Sequence, residues 1–475
     1  MMPGSIQSDL DAGTVSLTGY ETNLGVRADA LQALKEHLSP DELITEPDGI
    51  SAYLADQSVY RTEGSAWAVA VPRSVEGVQR ILAICNERRI PVTTRGRGTG
   101  LTGAAVPIGD GIVLSTDELN RRLMIHPDDL TAVADAGVIT ARVNEAAREF
   151  GLMYAPDPAS ASTSSIGGNI ATNAGGLHCV KYGVTKDNVL SLKVVLADGT
   201  LITTGRSTVK NVAGLDLTGL FVGSEGLLGV VVEATLKLRP LPVDVATVGA
   251  VYPDVRSACA AITAVLTGRI QPSVLEIMEV PPPLAQDPRY ARFAGFGALV
   301  IVQTDGTGAR QDADRASDAL TRLGGIIVDT HDDLLTLRTS RPKLPADAIR
   351  AHGDTSVPLS KERELFGIVL DIAAKYRLRY TAIAHAGDGN VHTRLYGVPN
   401  NPGEEEAIRD RVERAHDELL HEALRLGGSL TGEHGIGYEL ADKLSWQLGE
   451  TNLRLQRQIK SAFDPNGILN PGKWL

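Results

Sequence analysis

Cysteine is scarce in this chain: three residues in 475, Cys85, Cys179 and Cys259, widely spaced and without a C-x-x-C pair. That excludes a disulfide framework and a thiolate zinc site, and it fits a reducing cytoplasm. Excess positive charge is missing too. Forty-six Lys and Arg against 58 Asp and Glu give a net charge of -12, which repels nucleic-acid phosphates and offers no basic stripe to anionic lipid. No run approaches the ~18 continuous apolar residues of a membrane span. The start of the chain lacks the basic and apolar regions of a secretion signal, so residues 1–27 are expected to be a loose polar leader. Internal repeats, low-complexity tracts and the Walker ending Gly-Lys-Ser/Thr are absent, and the last absence argues against a P-loop triphosphatase. A cytoplasmic protein is expected, with peripheral attachment to the inner membrane left open.

What is present is an ordinary globular balance, 43% hydrophobic and 22% charged, at a length that predicts about two to four structural units. Periodicity predicts a helix over Leu31 to Leu38, a strand over Ala66 to Val71, a helix over Val75 to Glu87 and a strand over Pro91 to Thr94. Val-rich strands are expected at Gly111 to Leu114, Ala132 to Ala136, Val189 to Leu196 and Leu227 to Leu238, making an α+β domain that ends near Pro240. The order then becomes strand Val245 to Tyr252, helix Val255 to Leu266, strands Ser273 to Met278 and Ala298 to Gln303, helix Ala313 to Leu323, and strand Ile326 to Asp329. This is the βαββαβ order of a ferredoxin-like unit. A strand near Tyr380 to His385 follows, then a helix with its apolar stripe through Ile408, Val412, Ala415, Leu419 and Leu424, and a last helix ending near Phe463.

Three small-residue segments punctuate the first half. The first runs through Arg95, Gly96, Arg97, Gly98, Thr99, Gly100, Leu101 and Thr102 to Gly103, where backbone N–H groups can converge on an anion without Cβ clashes. Gly98, Gly100 and Gly103 satisfy G-x-G-x-x-G, but a Rossmann loop must open a helix, and Pro107, Gly109 and Gly111 forbid a long one. A phosphate loop between strands is the better reading. The second segment, Pro156 to Gly176, gathers hydroxyl donors, two Gly pairs and two asparagines. The third, Gly223 to Gly229, leads into a Val-rich strand. Together they can surround one long polyphosphate ligand.

The run Arg95 to Pro107, the stretch Ser165 to Gly176 with Tyr182 and Gly183 after it, and the run Gly223 to Gly229 resemble the FAD-binding domain of the vanillyl-alcohol oxidase (PCMH-type) family. The C-terminal half resembles the branch containing D-lactate dehydrogenase, the glycolate oxidase flavin subunit and D-2-hydroxyglutarate dehydrogenase. The resemblance implies a PCMH-type FAD-binding domain at 28–240, a ferredoxin-like α+β substrate or cap domain at 241–425, and a C-terminal helical segment at 426–475 returning to the FAD site. It assigns the cofactor to the first loop and to Pro156, Asp157, Ser160, Ser165, Gly167, Gly168, Asn169, Thr172, Asn173, Gly175, Gly176, Tyr182, Gly183, Glu225, Gly226, Gly229, Val230 and Asn470. Some members attach flavin through a histidine in the first loop; this loop has none, so noncovalent FAD is expected.

The strongest chemical signal is the run from His385 to His392. A two-residue turn at Asp388 and Gly389 would set the two imidazoles directly opposite each other. Glu433, in a glycine-flanked loop, can complete a His₂Glu set with an open position, which favours zinc, with manganese or iron as alternatives. In the resembling dehydrogenases the corresponding residues bind a divalent metal, and the next histidine, here His434, takes the substrate hydroxyl proton. Hydride loss from a 2-hydroxy acid needs that base and a Lewis acid to hold the alkoxide charge. The substrate carboxylate needs a cation, for which Arg338 and Arg341 are equally eligible, with Lys343 nearby; His352 and Arg394 stand where relatives carry other residues. The remaining histidines His37, His126, His331, His416 and His421 read as structural or surface groups, and His178 as packing near the flavin. The implied function is metal-assisted oxidation of a D-2-hydroxy acid by an FAD-linked dehydrogenase. Electrons would leave to a quinone, a cytochrome or an electron-transfer flavoprotein, and homodimerisation is left open. A nicotinamide dehydrogenase, an electron-transferring flavin subunit and an ether-lipid synthase-like enzyme are the competing readings.

Overall fold

The computed structural model describes residues 24–58, 64–280, 288, 293, 295–328, 334–338 and 344–475. The chain enters as a helix, Leu24–Lys35, which begins inside the stretch read as a leader and buries Ala30 and Leu34. Helix Val75–Arg88 starts where the Ser74 hydroxyl accepts the Gly77 N–H and stops at Arg89 in the left-handed region. Its buried stripe, Val78, Ile81, Leu82 and Cys85, packs on a four-stranded sheet ordered Leu43–Ile44, Ala68–Ala70, Ile112–Ser115, Val92–Arg95. The last three strands are parallel, and the first glycine loop joins two of them without an intervening helix, as a phosphate loop between strands requires.

A five-stranded antiparallel sheet stands beside it, ordered Leu123–His126, Thr131–Asp135, Val230–Lys237, Val189–Val195, Leu201–Gly205. The second glycine segment is not wholly a loop. Ile166–Thr172 is a helix, capped by the Ser165 hydroxyl accepting from Gly168 N–H, and its Ile166 and Ile170 side chains are drawn into the core under that sheet. Burial of two isoleucines outweighs the poor helix propensity of Gly167 and Gly168.

The second half builds a seven-stranded antiparallel sheet. Its first four strands, Ile326–Ile327, Val245–Tyr252, Ala298–Asp305 and Pro272–Glu279, lie in the order fourth, first, third, second of the expected βαββαβ unit. Arg379–His385, Asn390–Gly397 and Ile349–Ser356 extend that sheet. The sequence reading has no strand at Ile349–Ser356. The segment does alternate, but Arg350, His352, Asp354 and Ser356 make one polar row and the other row is mostly small, so nothing marks which face is buried. The small row packs on helix Glu405–Arg425, through Ala351 against a core containing Ala415 and Leu419. The polar row faces the site described next. Among the described residues no helix is long and apolar enough to cross a membrane.

Candidate active site

The three glycine segments line one cavity of about 410 Å³. From the first come Gly96, Arg97, Gly98, Thr99, Gly100 and Leu101; from the second Ser160, Ser165, Gly167, Gly168, Asn169, Thr172 and Gly175; from the third Glu225, Gly226 and Gly229. The other residues assigned to the cofactor are not in the lining of this cavity. Arg95 is buried with its guanidinium 5.8 Å from the Tyr53 ring and its Nη1 unpartnered, in space that a Cβ on Gly98 (φ +63°) would invade. Thr102 ties the loop to the C-terminal segment, its hydroxyl donating to the His434 carbonyl and its own carbonyl accepting from Tyr438 N–H. Asp157 accepts the His178 ring at 2.7 Å, and Tyr182 donates to Asp305 at 2.6 Å, so both serve the joint with the large sheet. Asn173 accepts from Lys186 N–H, Gly183 packs on Asp187, and Asn470 donates to the carbonyls of Ala104 and Glu225. Pro156, Gly176 and Val230 are likewise off the cavity surface.

Glu225 borders the cavity, yet its carboxylate is spent elsewhere. It accepts from Ile436 N–H, Gly437 N–H and Trp474 Nε1, fastening the third glycine segment to the loop that follows His434. Through this contact the C-terminal segment meets the cofactor loops.

At one end of the cavity stand Glu433 and His434. His385 opposes Asn390 and His392 opposes Ile383, so the two histidines are diagonal rather than direct neighbours. The expected two-residue turn is a four-residue one, because Gly387 N–H donates to Leu275 and Gly389 accepts from Val357, and these flanking segments hold the longer loop. The diagonal still brings the rings together, with centroids 5.0 Å apart. His385 Nε2 lies 3.4 Å and His392 Nε2 3.1 Å from the same atom, Glu433 Oε1. Behind each ring is a second carboxylate: Glu276 Oε1 at 2.6 Å from His385 Nδ1, and Asp354 Oδ1 at 3.2 Å from His392 Nδ1, the latter without hydrogen-bond alignment. Gly175 lets the second glycine segment approach, since a Cβ there would lie 2.5 Å from Glu433 Oε2.

Asp354 organises the loop. Its Oδ2 accepts the N–H groups of Gly432, Glu433 and His434 at 3.0, 2.9 and 2.8 Å and the Thr431 hydroxyl at 2.7 Å. Consecutive N–H groups aimed at one oxygen make a nest. The loop is therefore coiled, and Glu433 and His434 both border the cavity. The His434 ring stacks on His392, 5.0 Å away and tilted by 12°.

Burial would push these carboxyls up, but their partners prevail. Burial opposes and the histidines His434 and His392 favour ionisation of Asp354, which is held well below the usual carboxylate range. His385 and His392 do the same for Glu433, and His385 with Arg338 for Glu276. Despite its burial, His385 is raised well above the ordinary imidazole value, by Glu276 and then Glu433. Three carboxylates against one guanidinium leave an excess of negative charge. Protons on the histidines or a divalent cation would balance it, and ligand atoms of Asp354, His392, Glu433 and His434 lie within 4.8 Å of one another, near enough to hold one ion. Asp354 Oδ2 is occupied by N–H and O–H donors, and Asp354 and Glu276 stand behind the His392 and His385 rings, where carboxylates stand behind metal-bound histidines.

Arg338 donates from Nε to Glu276 at 2.6 Å, with Nη2 3.5 Å from His385 Nε2, which sets it at the site. Arg341, Lys343 and His331 lie outside the described residues. His352 and Arg394 are cross-strand partners on the same face as His392. Glu276 and Asp354 were not among the residues singled out from the sequence. A lone glutamate among Val274, Leu275, Ile277 and Met278 was the available signal for the first.

Comparison with known proteins identifies the family. Residues 66–205 match the family model described as FAD binding domain, and residues 241–474 the one described as FAD linked oxidases, C-terminal domain. Over 419 residues the chain is 38% identical to the Glycolate oxidase subunit GlcD of Bacillus subtilis, covering 86% of this chain and 88% of that one. Over 417 residues it is 36% identical to a D-lactate dehydrogenase of Archaeoglobus fulgidus, covering 86% and 91%. The solved structure of 4-ethylphenol oxidase from Gulosibacter chungangensis aligns with a TM-score of 0.76 at 21% identity, over 96% of this chain and 98% of that one, a likeness of fold. With both halves matched and relatives aligned over most of their length, the chain belongs to the FAD-linked oxidases, built on a PCMH-type FAD-binding domain.

Proposed function

We propose that this protein is an FAD-dependent dehydrogenase that oxidises a D-2-hydroxy acid to the 2-oxo acid, with one divalent metal on His385, His392 and Glu433. The observation that carries this reading is the meeting of two histidine Nε2 atoms at one Glu433 oxygen, at the wall of the cofactor cavity. The names of the aligned relatives support the substrate class. The division near residue 240 into cofactor and substrate units belongs to the same reading, as does delivery of the electrons to a quinone, a cytochrome or an electron-transfer flavoprotein.

FAD, held without a covalent bond by the glycine segments, supplies a two-electron acceptor for the hydride leaving C2. The metal, zinc by its ligand set, supplies Lewis acidity toward the substrate hydroxyl and carboxylate. The chain does the rest. Arg338, braced by Glu276, faces the carboxylate, and Arg341 remains its competitor for that role. His434 accepts the hydroxyl proton, its ring held by stacking on His392 and its backbone by Asp354. Adjacent Glu433 and His434 thereby keep separate duties.

A panel of D- and L-2-hydroxy acids with an artificial dye acceptor is the test. Dye reduction by D acids alone, lost on removal of metal, is expected; no turnover of any 2-hydroxy acid would refute the proposal. Acid precipitation of the purified holoprotein should leave the yellow colour in the supernatant, and colour retained in the pellet would mean a covalent flavin.

A further inference from the structure

The sheet face that carries the two histidines continues beyond them. Alternate residues of a strand share a face. The register pairs His392 with Ile383 and Asp354, Arg394 with Thr381 and His352, and Tyr396 with Arg379 and Arg350. Along one face the order is therefore His385, then His392 with Asp354, then Arg394 with His352, then Arg350, each two-residue step being about 7 Å. Arg338 stands at the His385 end. Arg394 and Arg350 stand at the other.

Arg338 has an acid partner; these two have none among the described residues. Arg350 Nε is buried without a hydrogen-bond partner. Arg394 is half-buried and lies diagonal to Arg350 across the paired strands, on the same face. Two adjacent like charges partly removed from water are unfavourable unless an anion joins them. Acid is not in short supply, with 58 Asp and Glu in the chain, and other arginines use it: Arg122 with Glu233, Arg310 with Asp244, Arg425 with Glu422. A pair left uncompensated beside a catalytic centre is arranged for an anion that arrives from outside. Guanidinium forks match carboxylate and phosphate alike.

We propose that Arg394 and Arg350 form a second anion subsite, so that the substrate is a 2-hydroxy acid bearing a further anionic group at the end remote from its hydroxy-acid head. This rests on the function proposed above and narrows its substrate class. The head sits at His385, His392 and Glu433, and the tail runs along the strand face toward Arg394.

The test compares two acids with the same five-carbon chain, D-2-hydroxyglutarate and D-2-hydroxypentanoate, on the holoenzyme. The expected kcat/KM ratio is about 10–100 in favour of the dianion, the usual worth of a charge-assisted contact. In Arg394→Gln and Arg350→Gln that ratio should collapse toward one, whatever happens to the absolute rates. Calorimetric binding of 2-oxoglutarate and 2-oxopentanoate to the oxidised holoenzyme should show the same preference without turnover. D-3-phosphoglycerate is the phosphate arm, and a ratio exceeding that of 2-hydroxyglutarate would assign the subsite to phosphate. Equal binding and turnover of the five-carbon pair by the wild type, or a dianion preference unchanged in both variants, would overturn the subsite while leaving the dehydrogenase standing. If no hydroxy acid is oxidised, the proposed function fails, and the oxo-acid binding ratio still decides whether the subsite exists.

Discussion

His434→Asn is expected to slow flavin reduction by substrate about 10²–10⁴-fold, the usual contribution of a positioned acid or base. The variant is chosen to isolate the ring. The His434 backbone N–H would still donate to Asp354 Oδ2, Thr102 would still hold the His434 carbonyl, and the cavity would keep a polar side chain of nearly the same reach. His385, His392 and Glu433 are untouched, so FAD and metal content should match the wild type. Stopped-flow reduction under anaerobic conditions is the direct measurement. Near-normal reduction in a variant retaining both FAD and metal would remove His434 from the mechanism.

Asp354→Ala is expected to destabilise the fold by about 3–5 kcal/mol, the cost of removing one partner from a buried charged network. Four donors of the loop 431–434 and the Asn390 amide lose their acceptor together, and His392 loses the carboxylate behind it. Metal affinity should fall about 10–100-fold, because Glu433 and His392 are both oriented by this one side chain. Asp354→Asn keeps an acceptor oxygen and should recover part of the stability. The sign of the pH dependence follows from the depressed carboxyl: the stabilisation is fully present above the unfolded-state pKa of ~3.9 and is lost as pH falls below it toward the folded value. Thermal unfolding of wild type and both variants at neutral pH, with metal analysis, reads both effects. A neutral-pH midpoint for the alanine variant equal to that of the wild type would show that the nest is not a stabilising element.

Much of the fold was legible because its signals are local. Val245–Tyr252 has the bounds read from its Val-rich run, and the helix stripe through Ile408, Val412, Ala415 and Leu419 is the buried one. The glycine segments were legible as belonging together, and they line one cavity, because backbone N–H groups without Cβ neighbours have few other uses. Helix Ile166–Thr172 was not, since two isoleucines reaching a sheet made elsewhere in the chain outvote the glycines between them. Arg341 and Lys343 lie outside the described residues, so the choice between Arg338 and Arg341 stands on the site geometry of Arg338 alone.

The amino-acid order by itself determined which chemical groups this protein owns: three anion-cradling segments, two histidines a short hairpin apart, and a glutamate followed by a histidine between glycines. Motifs of this kind are read from neighbours along the chain, and there composition limits conformation. Only the tertiary structure decided how those groups meet. The diagonal register of His385 and His392 is set by Leu275 on a flanking strand and Val357 just past the end of another. The coiling of the 431–434 loop is set by Asp354, and the bracing of His385 and Arg338 by Glu276. Asp354 and Glu276 are far from their partners in sequence and carry no local signature of the role. A buried carboxylate is tolerated only where distant segments bring it enough donors, and that sum exists only once the chain has folded.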